Sequence, residues 1–354
     1  MTETLVKPSV APGVRLGRIS FVWRPWMLLV AVVLAALAFL LFCLSLSIGD
    51  FSIPLPRVVA TLLGGGKRVD QFVIMDLRLP RALVGLIVGI VLGVSGALTQ
   101  SLARNPLASP DVLGITWGAS AAAVAMVTVS GAVEITGSLG LSTAALIGGV
   151  ATGLLVYALA WRRGIDGFRL ILIGVSVGAF MEAITTWLLV GANLRDVARA
   201  QAWMIGSLDG RSWSDVWLVL GGGLVLLAIV WAAAFQLKPM HFGDDVAAGL
   251  GVRQNLVRAV LMLCAVLLAG FAVSAAGPIP FIALVAPQIA MRVSRFPTPP
   301  LVASGLVGAA LLLASDLLAR TLLPIALPVG VVTAVIGGPF LIYLLVRSNL
   351  RRAS

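Results

Sequence analysis

A chain of 354 residues with 60% hydrophobic and 11% charged side chains cannot be a water-soluble globule, whose charged share is about 25%. Its net charge of +11 raises nucleic acid as a partner, a reading that depends on where along the chain the basic residues fall. Apolar runs of roughly 20 residues recur along nearly the whole length, each able to cross about 30 Å of hydrocarbon as a helix. A membrane barrel is excluded, because it would show segments of about ten residues alternating in polarity.

The first 24 residues are mostly polar and carry Lys7, Arg15, Arg18 and Arg24. The run 25–47 that follows is longer than the apolar part of a signal peptide, so it is expected to remain as the first membrane helix behind a cytoplasmic tail. An outer loop from Ile48 to Pro80 ends in "DLRLPRAL", which sets Arg78 and Arg81 around Pro80 at the mouth of the run 81–103. Further runs follow at 111–130, 139–161 and 168–190, then an outer loop from Gly191 to Asp215, and then the run 216–236. An inner loop from Gln236 to Asn255 precedes the runs 256–276, 281–293, 301–319 and 327–346, and residues 347–354 form a polar tail. Runs 111–130, 281–293 and 301–319 are shorter or interrupted. The expected fold is an all-α integral membrane protein of about ten transmembrane helices, a single membrane domain over 25–346.

Threading the ten runs with the N-terminus in the cytoplasm sorts the charges. The inner segments hold 16 basic and five acidic residues, the outer ones nine and eight, and Glu182 lies within a helix. The basic excess is therefore the positive-inside bias of a membrane protein, and nucleic acid is not needed to explain it. Trp26, Trp161, Trp187, Trp217 and Trp231 fall near predicted helix ends, as interfacial anchors should. Both cysteines, Cys43 and Cys264, lie in apolar runs and read as core residues, indicating neither a disulfide framework nor a metal site. Prolines interrupt apolar sequence at "NPLASPDVLG", "AGPIPFIALVAPQ" and "LPIALPVG". Broken helices are tolerated in a membrane where they are buried in protein or line a wet cavity, which favours a transport pathway over a simple anchor. Gly85, Gly89 and Gly93, and likewise Gly174 and Gly178, put small residues one turn apart and read as packing seams.

Catalytic signatures are weak. "GGGKR" at Gly64–Arg68 lacks the glycine spacing and the hydroxyl residue of a nucleotide-binding loop, so any ATP chemistry belongs to another chain. "GVSG" at Gly93–Gly96 resembles a motif of intramembrane serine proteases. The single histidine, His241, is in a polar inner loop where it cannot activate Ser95, which reads as a packing residue. Glu182 is the acid that stands well inside a predicted helix, following Gly174 and Gly178 at four-residue steps with Thr185 and Thr186 a turn on. An intramembrane carboxylate is costly and faces protein or water, so Gly178, Glu182 and Thr185 are candidates for a translocation pathway or for a helix contact. A proton-coupled secondary carrier would also use such an acid, but no second acid, histidine relay or buried arginine is apparent beside it.

The stretch "LRLPRALVGLIVGIVLGVSGALTQSLARNPLASPDVLGITWGAS" (Leu77–Ser120) resembles the signature of the FecCD/BtuC family of ABC importer permeases, which take up iron–siderophore, cobalamin and haem ligands. So do "WMIGSLDGRSW" (Trp203–Trp213), "GDDVAAGLGV" (Gly243–Val252), "AGPIPFIALVAPQIAMR" (Ala276–Arg292) and "SDLLARTLLPIALPVGVVTAVIGGPFLIYLL" (Ser315–Leu345), in family order and spacing. The resemblance implies a type II ABC importer permease fold with two permease subunits, identical or mixed, around a central pathway. It also implies two cytoplasmic ATPases that bind the ATP and magnesium, and an extracytoplasmic substrate-binding protein. This chain would then be no enzyme and hold no cofactor. It would sit in the bacterial cytoplasmic membrane with both termini inside. By the same resemblance Arg78, Arg81 and Arg320 would face acidic residues of the binding protein, where a guanidinium grips a carboxylate through two parallel bonds. Gly243, Asp244, Asp245, Ala247, Leu250 and Gly251 would form the segment that couples to the ATPase, with small residues permitting close docking. Gln288 stands where many family members have histidine, which tilts the expected ligand toward a ferric siderophore, with cobalamin or haem as the alternative.

Overall fold

The computed structural model describes the chain except for residues 1–12, 17–18, 23–24, 50, 130–132, 162–166, 241–243, 252, 323–325 and 354. It gives the backbone alone for 13–16, 19–22, 129, 133–139, 238, 244–245 and 347–353. Two strands, β1 (Gly13–Leu16) and β2 (Ile19–Val22), pair antiparallel with Gly13 opposite Val22 and Leu16 opposite Ile19. The expected plain polar tail thus contains a hairpin. Its sequence explains why, since Val14, Leu16, Ile19, Phe21 and Val22 are strand-favouring residues interleaved with polar ones.

Among the described residues, every regular element after the hairpin is a helix. Each of the ten apolar runs forms a helix: α1 (Pro25–Ser47), α4 (Leu79–Ala103), α5 (Ile115–Val129), α6 (Val133–Ala160), α7 (Gly167–Val190), α9 (Trp213–Ala234), α12 (Gln254–Ala276), α13 (Ile282–Ser294), α14 (Leu301–Thr321) and α15 (Val329–Ala353). Among the described residues eight helical stretches are long and apolar enough to cross a membrane, and α5 and α13 are the two shorter apolar ones. The run 301–319 proves to be a full-length span, whereas α13, with Pro287 inside it, reaches only about 20 Å. Helix α15 continues to Ala353, so the backbone of the expected tail 347–354 is helical through its first seven residues. Shorter helices fill the loops: α2 (Leu55–Leu62) and α3 (Arg68–Gln71) in the first, α8 (Leu194–Met204) in the second, α10 (Leu237–Met240) and α11 (Asp244–Gly249) in the third.

Helix α4 is the axis of the molecule, wrapped by α14, α12, α13 and α9. Its valines Val84, Val88 and Val91 join Leu261, Leu268 and Leu312 in the largest apolar cluster. Close backbone approach makes this wrapping possible. A Cβ on Gly93 would stand 2.1 Å from the Ser304 carbonyl oxygen of α14, and one on Gly96 1.8 Å from that of Ala283 in α13. Those distances are below any real contact, so the two positions exclude side chains. Gly174 and Gly178 of α7 likewise press against the backbone at Leu113 and Gly114.

Helix α4 has no free N-terminus at Leu79. It continues backward through a π-helical turn, Phe72–Arg78, into α3, giving one rod from Arg68 to Ala103. Pro80 has no N–H to offer the Asp76 carbonyl and its ring crowds that turn, and Leu79 instead bonds to Ile74, five residues back. The indole of Trp213, at the start of α9, donates to the Met75 carbonyl at 3.0 Å and props this turn.

Candidate functional site

The helix directions define two ends. One gathers the C-terminus of α1, the start of α4, the 205–212 loop and the C-terminus of α14; the opposite one gathers the starts of α1 and α7, the C-termini of α4 and α13, and α10. Arg78, Arg81 and Arg320 meet at the first end, and α11 follows α10 at the second. The 25 residues of α4 separate the ends by about 37 Å.

At the arginine end the three guanidinium groups do different work. Arg78 is 8% exposed and donates from Nη1 to the carbonyls of Leu46 (2.8 Å) and Ser47 (3.0 Å), and from Nη2 to that of Phe51. Helix α1 has no basic residue in its own last turn, so its orphan carbonyls and negative dipole end receive their cation from another element. Arg320 does the same from α14, giving Nη2 to Ser45 Oγ (2.8 Å) and Nη1 to the Ile48 carbonyl (3.3 Å). Both guanidinium groups thus turn into protein.

Asp316 binds the group together. Its side chain is 1% exposed; Oδ1 lies 2.8 Å from Arg81 Nη2, and Oδ2 lies 3.2 Å from Arg320 Nε. Arg81 Nε adds bonds to both oxygens at 3.2 and 3.3 Å, so Arg81 is held through two nitrogens. Its Nη1 points outward to Asp209, 3.0 Å away. Arg211 lies beside this group with its pKa lowered by burial, an effect opposed by Asp215 and Asp209 and reinforced by Arg81. Sequence reasoning passed over Asp316 and placed it in an outer segment, so Glu182 is not the one acid inside a helix. The signal was present: an acid four residues before Arg320 within an apolar run.

At the opposite end Gly243 lies outside the described residues, as do the side chains of Asp244 and Asp245, whose backbone opens α11. Ala247 is fully buried in the main apolar cluster, so its small size serves packing within the chain. Val246 and Leu250 stand exposed instead, and Gly251, in the left-handed region at φ 78°, ends the turn with its N–H on the Ala248 carbonyl. A shallow concavity lined by Ala248, Arg253, Gln254, Asn255 and Leu256 adjoins them. Arg104, itself left-handed at the end of α4, donates to the Met240 carbonyl of α10 and ties the central helix to this corner.

The pathway candidates part company. Gly178 and Thr185 are buried, the first against Gly114 and the second donating to the Met181 carbonyl of its own helix. Glu182 is exposed together with Phe180 and Trp187. Gln288 meets Gln100: its amide donates to Gln100 Oε1 at 2.7 Å while Gln100 donates to the Leu284 carbonyl at 3.0 Å, a buried link between α4 and α13.

Known proteins share this architecture. A model of the FecCD transport family matches residues 27–347. The ferric enterobactin transport system permease protein FepG of Escherichia coli is 44% identical over 308 residues, 86% of this chain and 91% of that protein. The probable siderophore transport system permease protein YfhA of Bacillus subtilis is 39% identical over 326 residues, covering 91% and 95%. A solved metal-chelate type ABC transporter in an inward-facing conformation superposes with a TM-score of 0.79 at 26% identity, covering 90% of this chain and 99% of that one.

Proposed function

The chain belongs to the FecCD transport family, and on that premise we propose that it is the permease subunit of an ATP-driven importer carrying a ferric siderophore inward by alternating access. The names of FepG and YfhA support the ligand class, and the glutamine at 288 agrees with it. Two copies of this chain, or this chain and a related one, would enclose the pathway, with the exposed Glu182 on α7 turned toward it. The membrane is the bacterial cytoplasmic membrane, with both termini inside, as the basic excess of the inner segments favours.

The observation that carries the reading is the polarity of the molecule: a cluster of arginines at one end of the bundle and an exposed apolar turn, Val246 and Leu250, at the other. The first suits a carboxylate-bearing binding protein outside, and the second a cleft in an ATPase inside. Arg81, whose Nη1 reaches the surface, is the direct contact of the trio, while Arg78 and Arg320 hold the end of α1 beneath it and add positive potential. ATP and magnesium belong to the partner ATPases, and the permease supplies no hydrolytic group.

Co-expression with its ATPase and binding protein, reconstitution in vesicles and uptake of radiolabelled ferric siderophore test the proposal. Uptake is expected to require ATP and the binding protein and to persist when the proton gradient is collapsed. Uptake driven by a proton gradient without ATP would establish the secondary carrier instead.

A further inference from the structure

Arg81 is a guanidinium with two distinct edges. Nε and Nη2 are clamped by the buried Asp316, a desolvated two-nitrogen pair that fixes the plane of the group. Nη1 meets Asp209, whose side chain is 84% exposed while that of Arg81 is 16% exposed. An ion pair with so open an acid is weakly held. Asp209 sits in a turn bounded by Gly206 and Gly210, both at positive φ, with its own N–H on Ser207 Oγ. The guanidinium is therefore immobile and the acid covering its outward nitrogen is on a surface loop.

Resting on the docking role just proposed for Arg81, we propose that Asp209 is an intramolecular stand-in for the binding protein's carboxylate, occupying Arg81 Nη1 until the partner displaces it. The exchange keeps a cation near the membrane surface paired while no partner is present, and replaces one carboxylate by another on docking. Affinity for the partner is lowered by whatever the resident pair contributes, which for an exposed pair is about two- to fivefold. Complexes therefore release the binding protein more readily than a bare arginine would allow.

The test is the affinity of the permease–ATPase complex in lipid nanodiscs for the binding protein that co-purifies with it, measured at low and moderate salt. Asp209→Asn keeps the loop's shape, removes the charge, and is expected to tighten binding about two- to fivefold in wild-type background and not at all beside Arg81→Gln. Unchanged or weaker binding in Asp209→Asn, with Arg81→Gln still weakening it, overturns the stand-in and leaves docking intact. Full affinity in Arg81→Gln overturns the docking role and the stand-in with it.

Discussion

Arg78 and Arg81 stand three residues apart in sequence and face opposite problems. Arg78 is turned inward onto the Leu46 and Ser47 carbonyls at the end of α1, and Arg81 is pinned by Asp316 with one nitrogen left facing out. Removing Arg78 strips a charged donor from three acceptors, so Arg78→Leu should cost on the order of 2 to 3 kcal/mol, read as lower thermal stability of the purified permease. Asp316→Ala leaves two largely buried guanidinium groups facing each other, and a loss of about 3 kcal/mol or more is expected by the same measurement. Asp316→Asn, which keeps hydrogen bonding but removes the charge, should fall between Asp316→Ala and wild type. Equal stability of all three proteins would show that the cluster is not held by this carboxylate.

At the scale of elements, the governing fact is how closely helices approach α4. Gly96→Ala puts a methyl group where the Ala283 carbonyl oxygen already is, so α13 must move away from the axis. The expected cost is about 1 to 3 kcal/mol, with a shift in the packing of α13 detectable by crosslinking to α4. Gly221 has open space at its Cβ position, so Gly221→Ala is the control that should leave stability unchanged or slightly raised. The α11 turn gives the complementary case. Leu250→Asp changes an exposed side chain and should preserve the fold while reducing recovery of the ATPase with the permease several-fold in pull-down. Normal recovery would remove this turn from the proposed interface. Ala247→Trp, by contrast, tests packing within the chain, because Ala247 is buried.

For the whole molecule the prediction concerns sidedness. Arg78 is too buried to label, but Asp209 and Leu250 are open and lie at opposite ends. Single cysteines at these positions, in a background with Cys43 and Cys264 replaced, should react with a membrane-impermeant maleimide from opposite faces of oriented vesicles. Reaction from one face would refute the ten-pass threading and with it the division between docking and coupling ends.

Much of this was legible in the linear chain because a bilayer imposes one-dimensional rules. Length and apolarity locate helices without reference to any long-range contact, and the distribution of arginine is the basis of the orientation proposed for them. Those rules located all ten apolar helices, including the short one that holds Pro287, and the spaced glycines announced where helices press together. The N-terminal hairpin was overlooked because the polar composition of the tail masked its strand-favouring residues. What required the folded molecule was pairing across distance. Asp316 lies 235 residues from Arg81, Gln288 lies 188 from Gln100, and the carbonyls that absorb Arg78 are some 30 residues before it. A charge or amide in a sequence states a need for a partner, and only the packing of the helices decides which group satisfies it and which nitrogen is left facing out.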